Sequence, residues 1–66
     1  MEPKYIERLV GKYCKIVTKA PGEKKGTVKI GLLEDINYLE NSITLELKEG
    51  EDIVLVDNII AIRLVR

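Results

Sequence analysis

Glu51-Asp52-Ile53-Val54-Leu55-Val56-Asp57-Asn58-Ile59-Ile60-Ala61-Ile62-Arg63 is the stretch whose reading decides the fold. The β-branched runs on either side of Asp57-Asn58 favour extended chain. Asx side chains bond their own backbone and favour turns. The stretch therefore predicts a strand, a one-turn break and a second strand. So short a break does not let the two strands lie side by side as an ordinary hairpin. They are expected to be successive strands bent across a corner, which is how the smallest closed β-barrels are finished.

Upstream of this corner the pattern is also that of short strands. Residues 43–47 alternate apolar and polar, with turns expected at residues 39–42 and 48–51. Residues 27–37 are too long for one flat strand: Val28, Ile30 and Leu32 share a face, but Leu33 and Ile36 break the alternation. Gly31 sits inside the run, where glycine marks a bulge or bend. One strand bending at Gly31 to serve both sides of a barrel explains the pattern. Residues 12–19 alternate with Cys14, Ile16 and Thr18 on one face, and Pro21-Gly22 in the following loop signals a type II turn. Residues 3–10 suit a short helix, with Pro3 in the first turn, Ile6, Leu9 and Val10 on one stripe, and Gly11 as the stop. The expected fold class is all-β: a short N-terminal helix followed by a five-stranded, strongly bent small barrel, one domain over residues 1–66. The expected core is Leu9, Cys14, Ile16, Val28, Ile30, Leu33, Ile36, Ile43, Leu45, Val54, Val56, Ile59 and Ile62.

Composition bounds what such a domain can do. Sixty-six residues lie near the lower limit for burying a self-sufficient core, and small scaffolds usually need a disulfide, a metal or a partner. One cysteine excludes an internal disulfide, and the lack of histidine argues against a metal site. Oligomerisation is the remaining support. No cofactor is expected. Without histidine, a glycine-rich phosphate loop or a base beside Cys14, no nucleophile–base pair can be drawn, and an enzyme is not expected. With no signal-peptide pattern and no apolar run of membrane-spanning length, a cytoplasmic chain with a reduced Cys14 is expected. Abundant Lys and Glu beside few thermolabile side chains suits a thermophile.

Charge is zero overall but uneven: residues 1–31 hold eight Lys/Arg against three Glu, net +5, and residues 32–66 the reverse, net −5. A basic half attracts phosphates. Equally, acidic and basic strands can neutralise one another within a chain or between subunits.

The chain resembles the Sm-like group of small SH3-like barrels, which includes the LSm proteins and bacterial Hfq. The resemblance covers nearly the whole length. It rests on the N-terminal helix, Leu9-Val10-Gly11-Lys12 entering the first strand, apolar Cys14 and Ile16, Gly31-Leu32-Leu33-Glu34-Asp35-Ile36-Asn37, and the closing Asn58-Ile59-Ile60-Ala61-Ile62. It implies assembly into rings of six or seven subunits, the fourth strand of one pairing with the fifth of the next, and binding of single-stranded, often uridine-rich, RNA around a pore. The family's first motif, an Asp with a stacking residue and Asn a few positions later, has its residue types in Asp35-Ile36-Asn37-Tyr38 but with tighter spacing and another order. The second motif, Ile-Arg-Gly between strands four and five, is absent. Val56-Asp57-Asn58 stands at that corner, and Ile62-Arg63 comes later, followed by Leu64.

Candidate sites follow from residue types. Tyr38 can stack on a base while Asn37 reads its edge beside Asp35, a contact contributing about 1–3 kcal/mol per base; the plainer reading is a capped turn covered by the Tyr38 ring. Lys19, Lys24, Lys25 and Lys29 around one loop can meet phosphates, or simply keep a hairpin tip in water. Arg63 is a further candidate for RNA. Ile53, Leu55, Ile60, Leu64 and Val65 give strands four and five apolar groups on the face that should be wet, which predicts a covering subunit and a homo-oligomer. The leading expectation is an Sm-like oligomer, with a hexameric or heptameric ring as one form it can take, binding single-stranded RNA. The alternatives are a protein-interaction or scaffold module without a nucleic-acid role, and an archaeal chromatin-type duplex DNA binder, since small crenarchaeal chromatin proteins are also SH3-like barrels.

Overall fold

The corner forms as its sequence requires. Strand β4 (Gly50–Leu55) runs into a single 3-10 turn, Val56–Asn58, and leaves it as strand β5 (Ile59–Leu64). A computed structural model describes residues 3–65 of the chain. Ahead of the corner lie helix α1 (Pro3–Glu7) and strands β1 (Tyr13–Thr18), β2 (Thr27–Asn37) and β3 (Ser42–Leu47). The strands make one antiparallel sheet in the order β4-β3-β2-β1-β5, so the two strands joined by the corner stand at opposite edges.

The long second strand makes this possible. Its first half, through Leu32, pairs with β1, and its second half, from Leu32, pairs with β3. Both of its ends are brought to the corner. Lys19, just past the end of β1 that pairs with Thr27, donates its N–H to Asn58 O at 2.8 Å, and Asn41, in the turn after β2, accepts from Val56 N–H at 2.8 Å. An extended run of this length spans about 33 Å, and a flat sheet cannot bring its two ends to three adjacent residues. The sheet is therefore curled. The inner side chains of Lys29 and Asp52, on strands separated by β3, form an ion pair across the concave face.

Among the described residues no ladder joins β4 to β5, so the expected closed barrel is corrected to a curled but open sheet. A groove of about 330 Å³ lies between β4 and the β1–β2 end of the sheet, lined by Thr18, Lys29, Ile53, Leu55 and Asn58 among others. Two backbone bonds and a side-chain bond from Asn41 to Asp57 hold the sheet at the corner.

The core fills the concavity: Ile6, Leu9, Cys14, Ile16, Leu33, Ile43, Leu45, Val54, Val56, Ile59 and Ile62 are buried. Helix α1 is shorter than expected. Three-residue turns follow it, Leu9 N–H donating to Ile6 O and Lys12 N–H to Leu9 O, and Gly11 takes φ +87°. Ile6 and Leu9 cap the core, while Val10 and Tyr5 are exposed.

Two core assignments are wrong and one is partial. Val28 and Ile30 are 56% and 54% exposed, and Ile36 packs only at the core's margin. The alternation was real but its faces are inverted, because Lys29 and Gly31 point inward. The register shift lies between Leu33 and Asp35, not at Gly31. Gly31 serves close approach: a Cβ there would stand 2.5 Å from Glu46 O.

Candidate functional site

The β1–β2 loop is built as its turn chemistry dictates. Gly22 takes φ +88°, and Glu23 N–H donates to Ala20 O at 3.0 Å, closing the turn around Pro21-Gly22. Glu23 Oε1 accepts from Ala20 N–H at 2.7 Å, so this carboxylate is bound to its own loop. Lys19, Lys24 and Lys25 are exposed and, among the described residues, take no ion pair. Lys29 differs: it is half-buried and committed to Asp52.

Asp35, Asn37 and Tyr38 lie along the far end of β2, and each has a partner within the chain. Asp35 Oδ1 accepts from Ile36 N–H at 2.8 Å, and Asn37 Oδ1 accepts from Glu40 N–H, three residues on, at 3.1 Å. The Tyr38 hydroxyl donates to Glu7 Oε2, tying the turn to the N-terminal helix, although the ring itself is half exposed. These are the contacts of a capped turn.

The sequence reading missed Asn41. Its backbone is left-handed, φ 54°, a conformation Asn tolerates better than most residues. Its Nδ2 donates to Asp57 Oδ1 at 3.1 Å while its carbonyl takes Val56 N–H. Asn41 thus fastens the β2–β3 turn to the corner. The only local signal was an Asn at a strand entry. Together, the lysine loop, the β2–β3 turn and the corner form one end of the molecule.

Both edge strands are unpaired on one side and carry exposed apolar side chains. Ile53, Leu55, Ile60 and Leu64 are between 52% and 67% exposed, and Val65 is half-buried beside Tyr13, whose carbonyl accepts its N–H at 2.9 Å. Val28 and Ile30 add to the outward apolar surface. Arg63 is exposed in β5, directly opposite Lys15 of β1. On the other half of the sheet Glu46 stands directly opposite Glu51. Glu34 joins them: its carboxyl is held above the ordinary carboxylate value by a hydrogen bond to Glu51, by desolvation, and by the charges of Glu51 and Glu46.

Cys14 is buried, its Sγ 3.5 Å from Lys12 O, and burial pushes its thiol up against a smaller opposing pull from Lys12. That favours the unreactive protonated form. No group of three His, Cys, Asp or Glu among the described residues is placed to hold a metal ion. No described helix is long and apolar enough to cross a membrane. Compared with protein-family models, curated proteins and solved structures, the chain matches none.

Proposed function

We propose that this chain is an Sm-like subunit that self-assembles through β4 and β5 and presents its lysine loop to single-stranded RNA. The observation that carries the reading is the pair of apolar free edges placed at opposite sides of one curled sheet by a three-residue corner. Different edges joined head to tail make a heterologous contact, which closes into a ring when the rotation per subunit allows. Both edges are then paired and their exposed Ile and Leu side chains covered, removing the aggregation hazard of a long apolar edge.

The RNA part rests on the family resemblance and on Lys19, Lys24 and Lys25, which have no carboxylate partner among the described residues. The corner between β4 and β5 holds Asp57 and Asn58 where the family carries a basic motif, so phosphate contact falls to the lysine loop. Single-stranded RNA should bind at low salt, with affinity falling as salt rises. Lys24→Glu/Lys25→Glu should lose at least tenfold in affinity while keeping the wild-type mass in solution, measured by fluorescence anisotropy and light scattering. No binding at low salt would remove the RNA half and leave the assembly.

The scaffold alternative is favoured by one observation: Asp35, Asn37 and Tyr38 are all engaged within the chain. Capture of a protein partner after nuclease treatment would support it. A duplex DNA binder is disfavoured, because Glu34, Glu46 and Glu51 on the outward face of the sheet repel phosphate.

A further inference from the structure

The outward face of the sheet carries like charges in direct opposition at both of its free edges, with opposite signs. At the β4 edge, Glu51 faces Glu46 across the strand pair and Glu34 lies against both. At the β5 edge, Arg63 faces Lys15. Like charges directly opposite destabilise a sheet, so each cluster is unfavourable in an isolated subunit. Neither is balanced among the described residues. Among the described residues the one ion pair is Lys29–Asp52, on the concave face. The raised carboxyl of Glu34 is what a carboxylate cluster without a counter-cation shows.

We propose that the β5 edge of a second copy seats antiparallel on β4 with its Arg63 opposite Glu51, so that its Lys15–Arg63 pair is received by Glu34, Glu46 and Glu51. This rests on the assembly proposed above and adds to it the register and the residues that select the partner. The two strands are matched in length, six residues each. Side-chain direction restricts how they can meet. Glu51, Ile53 and Leu55 point outward on β4, and Ala61 and Arg63 point outward on β5, while Val54 and Ile62 are buried. Strand side chains alternate between faces, so a one-residue slip would drive every outward group to the concave side. Among the registers that keep faces continuous, pairing Glu51 with Arg63 also sets Ile53 against the small Ala61, and brings Val54 opposite Ile60 and Leu55 opposite Ile59. A two-residue slip one way puts Arg63 against Ile53 and strands Glu51 beyond the cation; the other way puts Arg63 against Glu49, in the turn before β4, and sets Glu51 against Ala61. A second copy is the occupant because one sequence supplies both halves of the match.

The test is charge exchange between copies. Glu51→Arg and Arg63→Glu each place like charges at every contact, and both sites are exposed, so the fold should survive, as far-UV circular dichroism can show. Each variant alone should fall to the mass of one chain at physiological salt. E51R/R63E in a single chain makes every contact opposite in sign again and should regain the wild-type mass, and the single variants mixed in equal amounts should do the same where the wild-type ring has an even number of subunits. Retention of the assembled mass by either single variant, or failure of E51R/R63E to recover it, overturns the register. A wild-type chain that is itself monomeric overturns the assembly as well, and the two failures are told apart by the wild-type measurement.

Discussion

Gly31→Ala probes how β2 is shared between its two partner strands. Gly31 pairs with Cys14 of β1, one residue before β2 passes from β1 to β3 at Leu32. An added Cβ would sit 2.5 Å from Glu46 O and 2.8 Å from Leu47 Cδ2. The Leu47 methyl can turn aside. The Glu46 carbonyl cannot, because Glu46 pairs with Leu32 and with Glu51 on either side. The β2–β3 ladder must open locally, an overpacking cost of about 1–3 kcal/mol, with about 1 kcal/mol more where a ladder hydrogen bond is lost. Stiffening of the unfolded chain returns about 0.4–1 kcal/mol. The expected net loss is about 2 kcal/mol, against a total near 3–10 kcal/mol for a chain of this size. In thermal unfolding that is a fall in Tm of about 8–16 °C. The assay is circular dichroism at one fixed protein concentration, because assembly would make the midpoint concentration-dependent. Gly11→Ala is the control: Gly11 is left-handed at φ +87° with nothing within 4 Å, so only backbone strain of about 1–2 kcal/mol applies. A Gly31→Ala protein within about 0.5 kcal/mol of wild type, the ordinary range for surface changes, would refute the close approach and the handover of β2 argued from it.

Two further outcomes follow from the fastened end and the core. Asn41→Ala should lose about 1–2 kcal/mol in urea unfolding, from left-handed strain and the bond to Asp57, whereas Asn41→Gly should recover most of the strain; equal losses would place the effect elsewhere. Cys14 sets a pH limit. Its folded thiol titrates above the unfolded one, so its contribution is fully present below about pH 8.5 and declines as pH rises beyond that, where the unfolded chain ionises first. Cys14→Val should flatten that alkaline decline in urea midpoints measured from pH 7 to 10.5, and an unchanged decline would assign it to other groups.

The sequence made the corner legible because its signal is local: an Asx pair between two β-branched runs can hardly be anything but a break. The type II turn at Pro21-Gly22 and the inward faces of β1, β3 and β4 were legible for the same reason. What was misread depends on contacts remote in the chain. Val28 and Ile30 looked like core because they alternate with Lys29 and Gly31, yet Lys29 points inward to meet Asp52, twenty-three positions away, and Gly31 is required by the carbonyl of Glu46. A binary pattern cannot reveal a long-range ion pair or a close backbone approach. The same holds at the candidate site. Tyr38 was legible as an exposed aromatic, but its partner Glu7 lies in another element, and the like-charge pairs of the outward face appear only once the register is known. Closure failed as an expectation because a short corner dictates that β4 and β5 diverge, not that the sheet's edges meet.

The measurement that tests the central claim most directly is the solution mass of the wild-type chain, by size-exclusion chromatography with light scattering at low and high salt. Edges covered by a second copy, with Ile53, Leu55, Ile60 and Leu64 as the buried contact, predict a mass of several chains, near six or seven for a closed ring, that survives high salt because apolar burial supports it. A single-chain mass at both salt concentrations would contradict the account, leaving those side chains in water and the two edges without a partner of their own kind.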